Sequence, residues 1–207
     1  MSTDVGLFPV FLKLEGRPVL VVGGGPVATS KLGGLQAAGA DITVVAPEVT
    51  DTIRRSGVRV HQRAFENRDL DGIWYVVAAA VPEVNAAVAR AATARQLFVN
   101  AVDDPPNATA YLGGVVRRGG AAIAISTAGR APALAGLLRE GIDALLPDDA
   151  TFEAWFREGD TLRAQWRSTD VPMEARRARM AEAIAREYCG RMPGCARVTA
   201  ASRVEPG

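Results

Sequence analysis

The chain has 207 residues, of which 48% are hydrophobic, and it carries a formal net charge of +1 at pH 7. This length can bury the core of one sizeable domain, or of a medium domain with an appendage. The nearly neutral charge argues against general nucleic-acid binding, and the longest apolar run, Trp74–Val81, is too short to span a bilayer.

Strand-like runs alternate with helix-compatible segments through the first half of the chain. The runs are Pro18–Val22, Ile42–Ala46, Val58–Arg63, Trp74–Ala80 and Phe98–Val102, and the clearest helical segments are Val27–Ala38 and Pro82–Arg95. This alternation is typical of βαβ units, whose right-handed crossovers place the strands in one parallel sheet. We therefore predict an α/β fold, with a Rossmann-type domain over residues 1–112.

A glycine-rich loop follows the first predicted strand without a spacer. The strand Val19–Val22 is apolar throughout, and Gly23–Ala28 fits the pattern G-x-G-x-x-A at the start of a helix. Glycines at this place permit a tight turn and a close approach of backbone amides to a pyrophosphate. We expect the loop to bind a dinucleotide, with contacts from Gly23, Gly24, Gly25, Pro26 and Val27.

The segment after the second predicted strand departs from the usual pattern. An acidic residue that binds the adenine ribose is expected at the strand tip, but the strand ends Val45-Ala46-Pro47-Glu48. Backbone groups near Pro47 or the Glu48 side chain are then expected to hold the ribose. No arginine stands there to receive a 2′-phosphate, which favours NAD over NADP. Ala79, after the fourth strand, is expected to complete the cofactor site.

The pattern changes after Pro105-Pro106. Tyr111–Arg117 and Ala121–Ser126 read as two strands of a hairpin with its turn at Arg118–Gly120, and a helix with an apolar stripe begins near Pro132. We predict a hairpin and helix dimerisation region over residues 113–147, a helical region over 148–192 and a flexible tail over 193–207. A region with so little core of its own is expected to pack against a second copy, giving a homodimer.

No metal site is expected from the sequence. Cys189 and Cys195 lie close together, but His61 is the only histidine in the chain and stands far from them. Residues 1–6 lack the basic and apolar segments of a secretory signal, so we expect a cytoplasmic protein without a membrane or nucleic-acid partner.

Four blocks of sequence, in order, resemble the precorrin-2 dehydrogenase and sirohydrochlorin ferrochelatase family. They are the segment FPVFLKL at Phe8–Leu14, the loop GGGPVA at Gly23–Ala28, the segment NAVDDP at Asn100–Pro105, and the segment ISTAGRAPALA at Ile125–Ala135 followed by LLRE at Leu137–Glu140. The resemblance covers residues 7–147. It implies a dimeric enzyme that oxidises precorrin-2 to sirohydrochlorin with NAD⁺ in siroheme or cobalamin biosynthesis, and in some relatives inserts ferrous iron.

The resemblance also implies roles for individual residues. Oxidation of the macrocycle releases a hydride and a proton, and Asp103, in the NAVDD block, is placed to accept the proton or to contact iron. Asp104 is the alternative, and either aspartate alone is also a common turn residue before proline. The polycarboxylate substrate requires positive charge and hydrogen-bond donors, for which Ser126, Thr127, Arg130 and Arg117 are candidates.

Three departures from the family pattern border the expected macrocycle side. Ala79-Ala80-Val81 has no threonine, Ala110–Gly113 lacks an aromatic residue followed by proline, and Ala128 stands where relatives have the first glycine of a pair. These changes leave open a shifted substrate or the loss of chelatase activity.

Three other functions remain open from the sequence. One is an oxidoreductase or chelatase acting on another anionic tetrapyrrole, and a second is iron insertion without dehydrogenation. The third is a regulatory module that binds NAD(H), although neither end of the chain carries a basic helix-turn-helix pattern.

Overall fold

The computed structural model of the chain describes residues 6–188 and forms two compact units. The first comprises the described residues up to Gly113 together with Ser126–Ala135, and the second comprises Gly114–Ile125 together with the described residues from Gly136 onward. The predicted tail, Cys189 and Cys195 lie outside the described residues.

The first unit is built on a five-stranded parallel sheet in the order β3-β2-β1-β4-β5. The strands are β1 (Pro18–Val22), β2 (Asp41–Val45), β3 (Arg59–His61), β4 (Tyr75–Ala78) and β5 (Phe98–Ala101). The helices between them are α1 (Pro26–Ala37), α2 (Asp51–Arg55) and α3 (Pro82–Thr93). The predicted Rossmann-type α/β fold is confirmed.

Apolar side chains cover both faces of this sheet. Successive residues of β1 alternate between two buried clusters, with Val19 and Val21 on one face and Leu20 and Val22 on the other. Burial on both faces explains why the strands read as continuous apolar runs. Desolvation in this core also raises the pKa of Tyr75 above its usual range.

The second unit contains the antiparallel hairpin of β6 (Gly114–Arg118) and β7 (Ala121–Ile125), followed by helices. Gly119 and Gly120 form its two-residue turn with φ values of +46° and +90°, which glycine adopts without strain. The helices are α4 (Pro132–Leu145), whose first residues belong to the first unit, α5 (Asp149–Thr169) and α6 (Met173–Tyr188).

The predicted bounds of the first hairpin strand were wrong, since β6 begins at Gly114 and not at Tyr111, and Arg118, predicted in the turn, is its last residue. The residues before Gly114 are held as a loop against β5. Asn100 Nδ2 donates to the Ala110 carbonyl over 3.0 Å, and the Tyr111 hydroxyl donates to the Pro105 carbonyl over 3.2 Å. These hydrogen bonds fix Ala110 and the Tyr111 side chain against β5 and the turn after it, and the hairpin strand begins only at Gly114.

Candidate dinucleotide and substrate site

The carboxyl ends of the five parallel strands lie on one edge of the sheet, and the candidate residues of the first unit follow them. The strand order reverses between β1 and β4, because the chain moves from β1 outward through β2 and β3 and then returns. In open α/β sheets, ligands bind beyond the carboxyl ends at such a switch point. The loops after β1 and β4 meet there.

Gly23 and Gly24 are required by close backbone packing. Gly23 has a φ of +124°, and a Cβ there would collide with the Ala79 carbonyl. A Cβ at Gly24 would collide with the carbonyl of Glu48. The two glycines therefore let the loop after β1 fit between the loops after β4 and β2.

Gly25 is different, because a Cβ there would have no neighbour within 4 Å. It is exposed and has an ordinary φ of −81° as the residue before α1. The space beside it is open on the side where the helix begins. Internal packing therefore does not require glycine at this position, and the open space lets a ligand approach the backbone closely.

Backbone amides at the start of α1 have no acceptor among the described residues. Thr29 N–H donates to the Gly25 carbonyl over 3.0 Å, whereas the amides of Gly25, Val27 and Ala28 have no such partner within residues 6–188. Pro26, the first helical residue, has no N–H to satisfy. A helix start with free amides and open space beside it fits the pyrophosphate of a dinucleotide.

The loop after β2 is fixed to the glycine loop through Thr50. Its N–H donates to the Gly24 carbonyl over 2.9 Å, and its hydroxyl lies 2.8 Å from the Thr29 hydroxyl. The same hydroxyl accepts from Ile53 N–H and caps α2. Pro47 and Glu48 are exposed in this loop. Thr50 was missed from the sequence, although threonine followed by aspartate is a signal for a helix start.

Asn85 fixes the loop after β4. Ala79 N–H donates to the Val22 carbonyl of β1 over 2.8 Å, and Ala80 N–H donates to Asn85 Oδ1, also over 2.8 Å. Asn85 is buried on α3, where Val88, Ala89 and Ala92 continue the buried face. Asn85 was not among the residues predicted from the sequence. An asparagine in the apolar stripe of a predicted helix was the available signal.

Asp103 lies in the turn after β5 with a φ of +57°. Aspartate is one of the few residues other than glycine that adopt this left-handed conformation with any frequency. The Asp103 side chain is exposed, and within residues 6–188 its carboxylate has no hydrogen-bond or ion-pair partner. The carboxylate of Asp104, by contrast, accepts from Asn107 Nδ2 over 2.7 Å.

The loop Ser126–Arg130 packs beside this turn within the first unit. A Cβ at Gly129 would lie 3.4 Å from the Tyr111 ring and 3.5 Å from Pro105. The Ser126 hydroxyl accepts from Ala128 N–H over 3.1 Å, and the Thr127 hydroxyl accepts from Ala131 N–H over 3.3 Å. The amides of Ala128, Arg130 and Ala131 are therefore already used internally, while both hydroxyls keep their own protons for donation.

The candidate arginines occupy different places. Arg130 is exposed in the loop of the first unit, and Arg117 is exposed on β6 of the second. Arg118, next to Arg117, is 2.6 Å from Asp143 in an ion pair. Arg117 is thus the more accessible of the two neighbouring hairpin arginines.

One strongly coupled ion pair follows β3. Arg63 donates two hydrogen bonds to Asp69, and these hydrogen bonds, more than the charge itself, hold the pKa of that carboxyl below its usual range. Asp69 also accepts from Glu66 N–H over 2.9 Å. The ion pair closes the loop around a short 3₁₀ turn, Asn67–Leu70. We therefore assign it a structural role.

Neither a metal cluster nor a membrane span is found in residues 6–188. No group of three or more His, Cys, Asp or Glu side chains is arranged to hold a metal ion there. None of the helices in that part of the chain is long and apolar enough to cross a bilayer.

Comparisons with known proteins agree with a dinucleotide site at the carboxyl-terminal edge of the parallel sheet. Residues 10–114 match the family model described as "putative NAD(P)-binding". The siroheme synthase of Methylobacillus flagellatus is 43% identical over 159 residues, which are 72% of this chain and 34% of that protein. That of Xylella fastidiosa is 41% identical over 183 residues, or 84% of this chain and 38% of that protein.

The chain therefore spans about a third of the length of the curated relatives it matches. Among solved structures, SirC, a precorrin-2 dehydrogenase, superposes with a TM-score of 0.68 at 26% identity, covering 96% of this chain and all of that one. The resemblance stated from the four sequence blocks is confirmed, and so is the expected dinucleotide cofactor.

Proposed function

Because the chain belongs to the family of putative NAD(P)-binding proteins, we propose that it uses NAD⁺ to oxidise precorrin-2 to sirohydrochlorin in siroheme biosynthesis. The observation that carries this proposal is the likeness to a precorrin-2 dehydrogenase over nearly the whole of both chains. The siroheme synthases that it resembles support the same pathway.

The glycine loop is proposed to hold the dinucleotide pyrophosphate. The amides of Gly25, Val27 and Ala28 supply donors, and the positive end of α1 adds to the attraction. Gly23, Gly24 and Pro26 shape the loop, while Ala79 borders the site from the loop after β4.

Pro47 and Glu48 are proposed to border the adenosine ribose. The collision that a Cβ at Gly24 would make with the Glu48 carbonyl places the backbone of Glu48 directly against the glycine loop. A carboxylate at this place repels the 2′-phosphate of NADP and accepts from ribose hydroxyls. We therefore expect a preference for NAD⁺.

Asp103 is proposed to receive the proton that leaves the macrocycle. The oxidation removes two electrons as a hydride, for which NAD⁺ is the acceptor, together with one proton. The Asp103 carboxylate has no partner among the described residues to compete for that proton. The carboxylate of Asp104 is engaged by Asn107, which makes it the weaker candidate.

The substrate is proposed to bind through Ser126, Thr127 and Arg130 of the first unit, and Arg117, on the hairpin of the second unit, is proposed separately as a donor to a substrate carboxylate. Both hydroxyls have protons to donate to a carboxylate, and both arginines are exposed. The packing of the Gly129 loop beside Pro105 and Tyr111 supports a substrate that reaches Asp103 and this loop together.

Three finer features complete the proposal. The chain forms a homodimer, works in the cytoplasm, and also inserts ferrous iron into sirohydrochlorin as a ferrochelatase with Asp103 near the metal. The exposed leucines of α4 support the dimer. Iron is here a substrate of the proposed reaction and not a resident cofactor.

One assay tests the proposed reaction. The purified protein is incubated with enzymatically made precorrin-2 and NAD⁺, and the absorbance of sirohydrochlorin is followed, with NADP⁺ in a parallel reaction. We expect NAD⁺-dependent formation of sirohydrochlorin, and then metal insertion on addition of ferrous ion. Absence of any dinucleotide-dependent change overturns the proposal, whereas iron insertion without oxidation selects a chelatase.

A further inference from the structure

Asn85 is a buried polar residue next to the cofactor edge, and the mechanism above gives it no task. Only 4% of its surface is exposed. It occupies the first turn of α3, directly after the loop that follows β4. A buried amide side chain of this kind is costly unless it forms hydrogen bonds, so its presence needs an explanation.

The hydrogen bond of Asn85 fixes one particular peptide group. Its Oδ1 accepts from Ala80 N–H over 2.8 Å, while the neighbouring Ala79 N–H is bound to the Val22 carbonyl at the end of β1. Both amides of Ala79 and Ala80 therefore have partners, and the orientation of the peptide that joins these two residues is set.

This same peptide is the surface against which Gly23 packs. The Cβ that Gly23 lacks would meet the Ala79 carbonyl and come within 3.0 Å of Ala80 N. A rotation of the Ala79–Ala80 peptide would thus move the first glycine of the loop, or be blocked by it. The shape of the glycine loop depends on this contact.

We infer that Asn85 is a positioning residue for the dinucleotide site, acting through the Ala79–Ala80 peptide on the glycine loop. This inference rests on the proposed function, since the dinucleotide is its ligand. Asn85 itself need not touch the cofactor. Without its Oδ1, the Ala80 amide is left without a partner, and the turn relaxes to satisfy it elsewhere.

The test compares NAD⁺ affinity with stability in three variants of the full chain. Asn85→Leu removes the acceptor and is expected to raise the Kd for NAD⁺ about tenfold. Asn85→Asp keeps an oxygen in the same place and is expected to bind within about threefold of the wild type, because an acid in the first turn of a helix is tolerated. Calorimetric titration with NAD⁺ gives the affinities, and urea unfolding gives the stabilities.

Thr109→Val is the matched control. Thr109 Oγ1 accepts from Val99 N–H of β5 over 2.9 Å, so this variant also loses one side-chain to backbone hydrogen bond of the sheet, but away from the glycine loop. It should lower stability while leaving the Kd for NAD⁺ within twofold. If Asn85→Leu does not fold, Asn85→Ser, which is too short to reach Ala80, takes its place.

The possible results separate this inference from the proposed function. Wild-type affinity in Asn85→Leu or Asn85→Ser, or equal weakening in Asn85→Asp and Thr109→Val, overturns the positioning role. If the variants differ as expected but precorrin-2 is not oxidised, the role of Asn85 stands and the proposed substrate falls. A wild-type protein that does not bind NAD⁺ overturns both.

Discussion

The two units of the chain differ in how much of their apolar surface is buried. In the first unit, both faces of the parallel sheet are covered, and Val19, Val76 and Val99 have no exposed surface. In the second unit, the buried apolar side chains of the described residues are Val116, Trp166 and Val171, each of which keeps some exposed surface. The first unit therefore carries a core of its own, whereas the second buries few of its apolar side chains within itself.

We expect the two units to have different functions, because one has a well-packed core and the other has not. The proposed cofactor loops and Asp103 follow strands that the core holds rigidly, which is where precise geometry is available. The exposed leucines of α4 are suited instead to bury surface against a second copy.

The largest effect is expected for Asp103→Asn, which keeps the shape of the side chain and removes its basicity. Loss of a proton acceptor typically lowers kcat by about 10²- to 10⁴-fold. The Kd for NAD⁺ should stay unchanged, because the glycine loop is not altered. Initial rates of sirohydrochlorin formation and calorimetric titration measure the two quantities.

Asp104→Asn is the control for this experiment, since Asp104 is adjacent and its carboxylate is already engaged by Asn107. We expect a change in kcat of a few-fold at most. Equal turnover by Asp103→Asn and the wild type would remove Asp103 from the mechanism, and a large loss in Asp104→Asn alone would transfer the role to its neighbour.

The second prediction concerns Leu137 on α4, which is 66% exposed. If this face is the dimer contact, Leu137→Glu removes one buried leucine from each copy, or about 3 kcal/mol in total, and raises the dimer dissociation constant at least 100-fold. The stability of the monomer should be almost unaffected. Light scattering at micromolar concentration measures the change in mass.

Leu12→Glu provides the comparison from the first unit, because Leu12 is also exposed, at 43%. This variant should keep the mass of the wild type. A wild-type protein that is already monomeric at micromolar concentration contradicts the predicted dimer. Dissociation by both substitutions would mean that the dimer contact is not specific to α4.

The third prediction separates two adjacent glycines. Gly24→Ala is expected to lower the free energy of unfolding by about 2 kcal/mol, because its Cβ collides with the Glu48 carbonyl. Gly25→Ala should change this free energy by less than about 1 kcal/mol, since its Cβ has space and its φ is negative. Its Kd for NAD⁺ should nevertheless rise about tenfold.

Urea unfolding and NAD⁺ titration of both variants measure these effects. The free energy of unfolding of Gly24→Ala tests whether this glycine is required for packing. The Kd of Gly25→Ala for NAD⁺ tests whether this residue borders the cofactor. Normal NAD⁺ binding by Gly25→Ala would mean that the open space beside this residue is not where the pyrophosphate lies.

The sequence predicted the first unit closely because its signals are local and strong. A parallel sheet buried on both faces imposes continuous apolar runs, and β1 was predicted with its observed bounds, Pro18–Val22. The errors lie where long-range hydrogen bonds compete with local pattern. The residues from Tyr111 to Gly113 have the composition of a strand, but Asn100 and Pro105 hold the segment before Gly114 as a loop.

In the candidate site, too, residues that act through long-range hydrogen bonds could not be predicted from the local sequence pattern. The glycine loop and Asp103 could be named as candidates from the sequence because their motifs are contiguous, and their roles stay predictions. Thr50 and Asn85 were missed because each acts on a loop that lies elsewhere in the chain, Thr50 on Gly24 and Asn85 on Ala80. Their partners are set by the sheet topology and not by a local spacing.

The smallest expected effect concerns Ala128, which occupies the place of a glycine in the related family and has a φ of +52°. A left-handed conformation costs a residue with a Cβ about 1 kcal/mol relative to glycine. Ala128→Gly should therefore raise the free energy of unfolding by about 1 kcal/mol, as measured by urea denaturation. Ala131→Gly, in the same loop but at negative φ, should lower it by about 0.5–1 kcal/mol. Destabilisation by both changes would mean that Ala128 is not strained. If Ala128→Gly stabilises the chain but slows turnover, the strain in this loop serves the substrate side of the first unit.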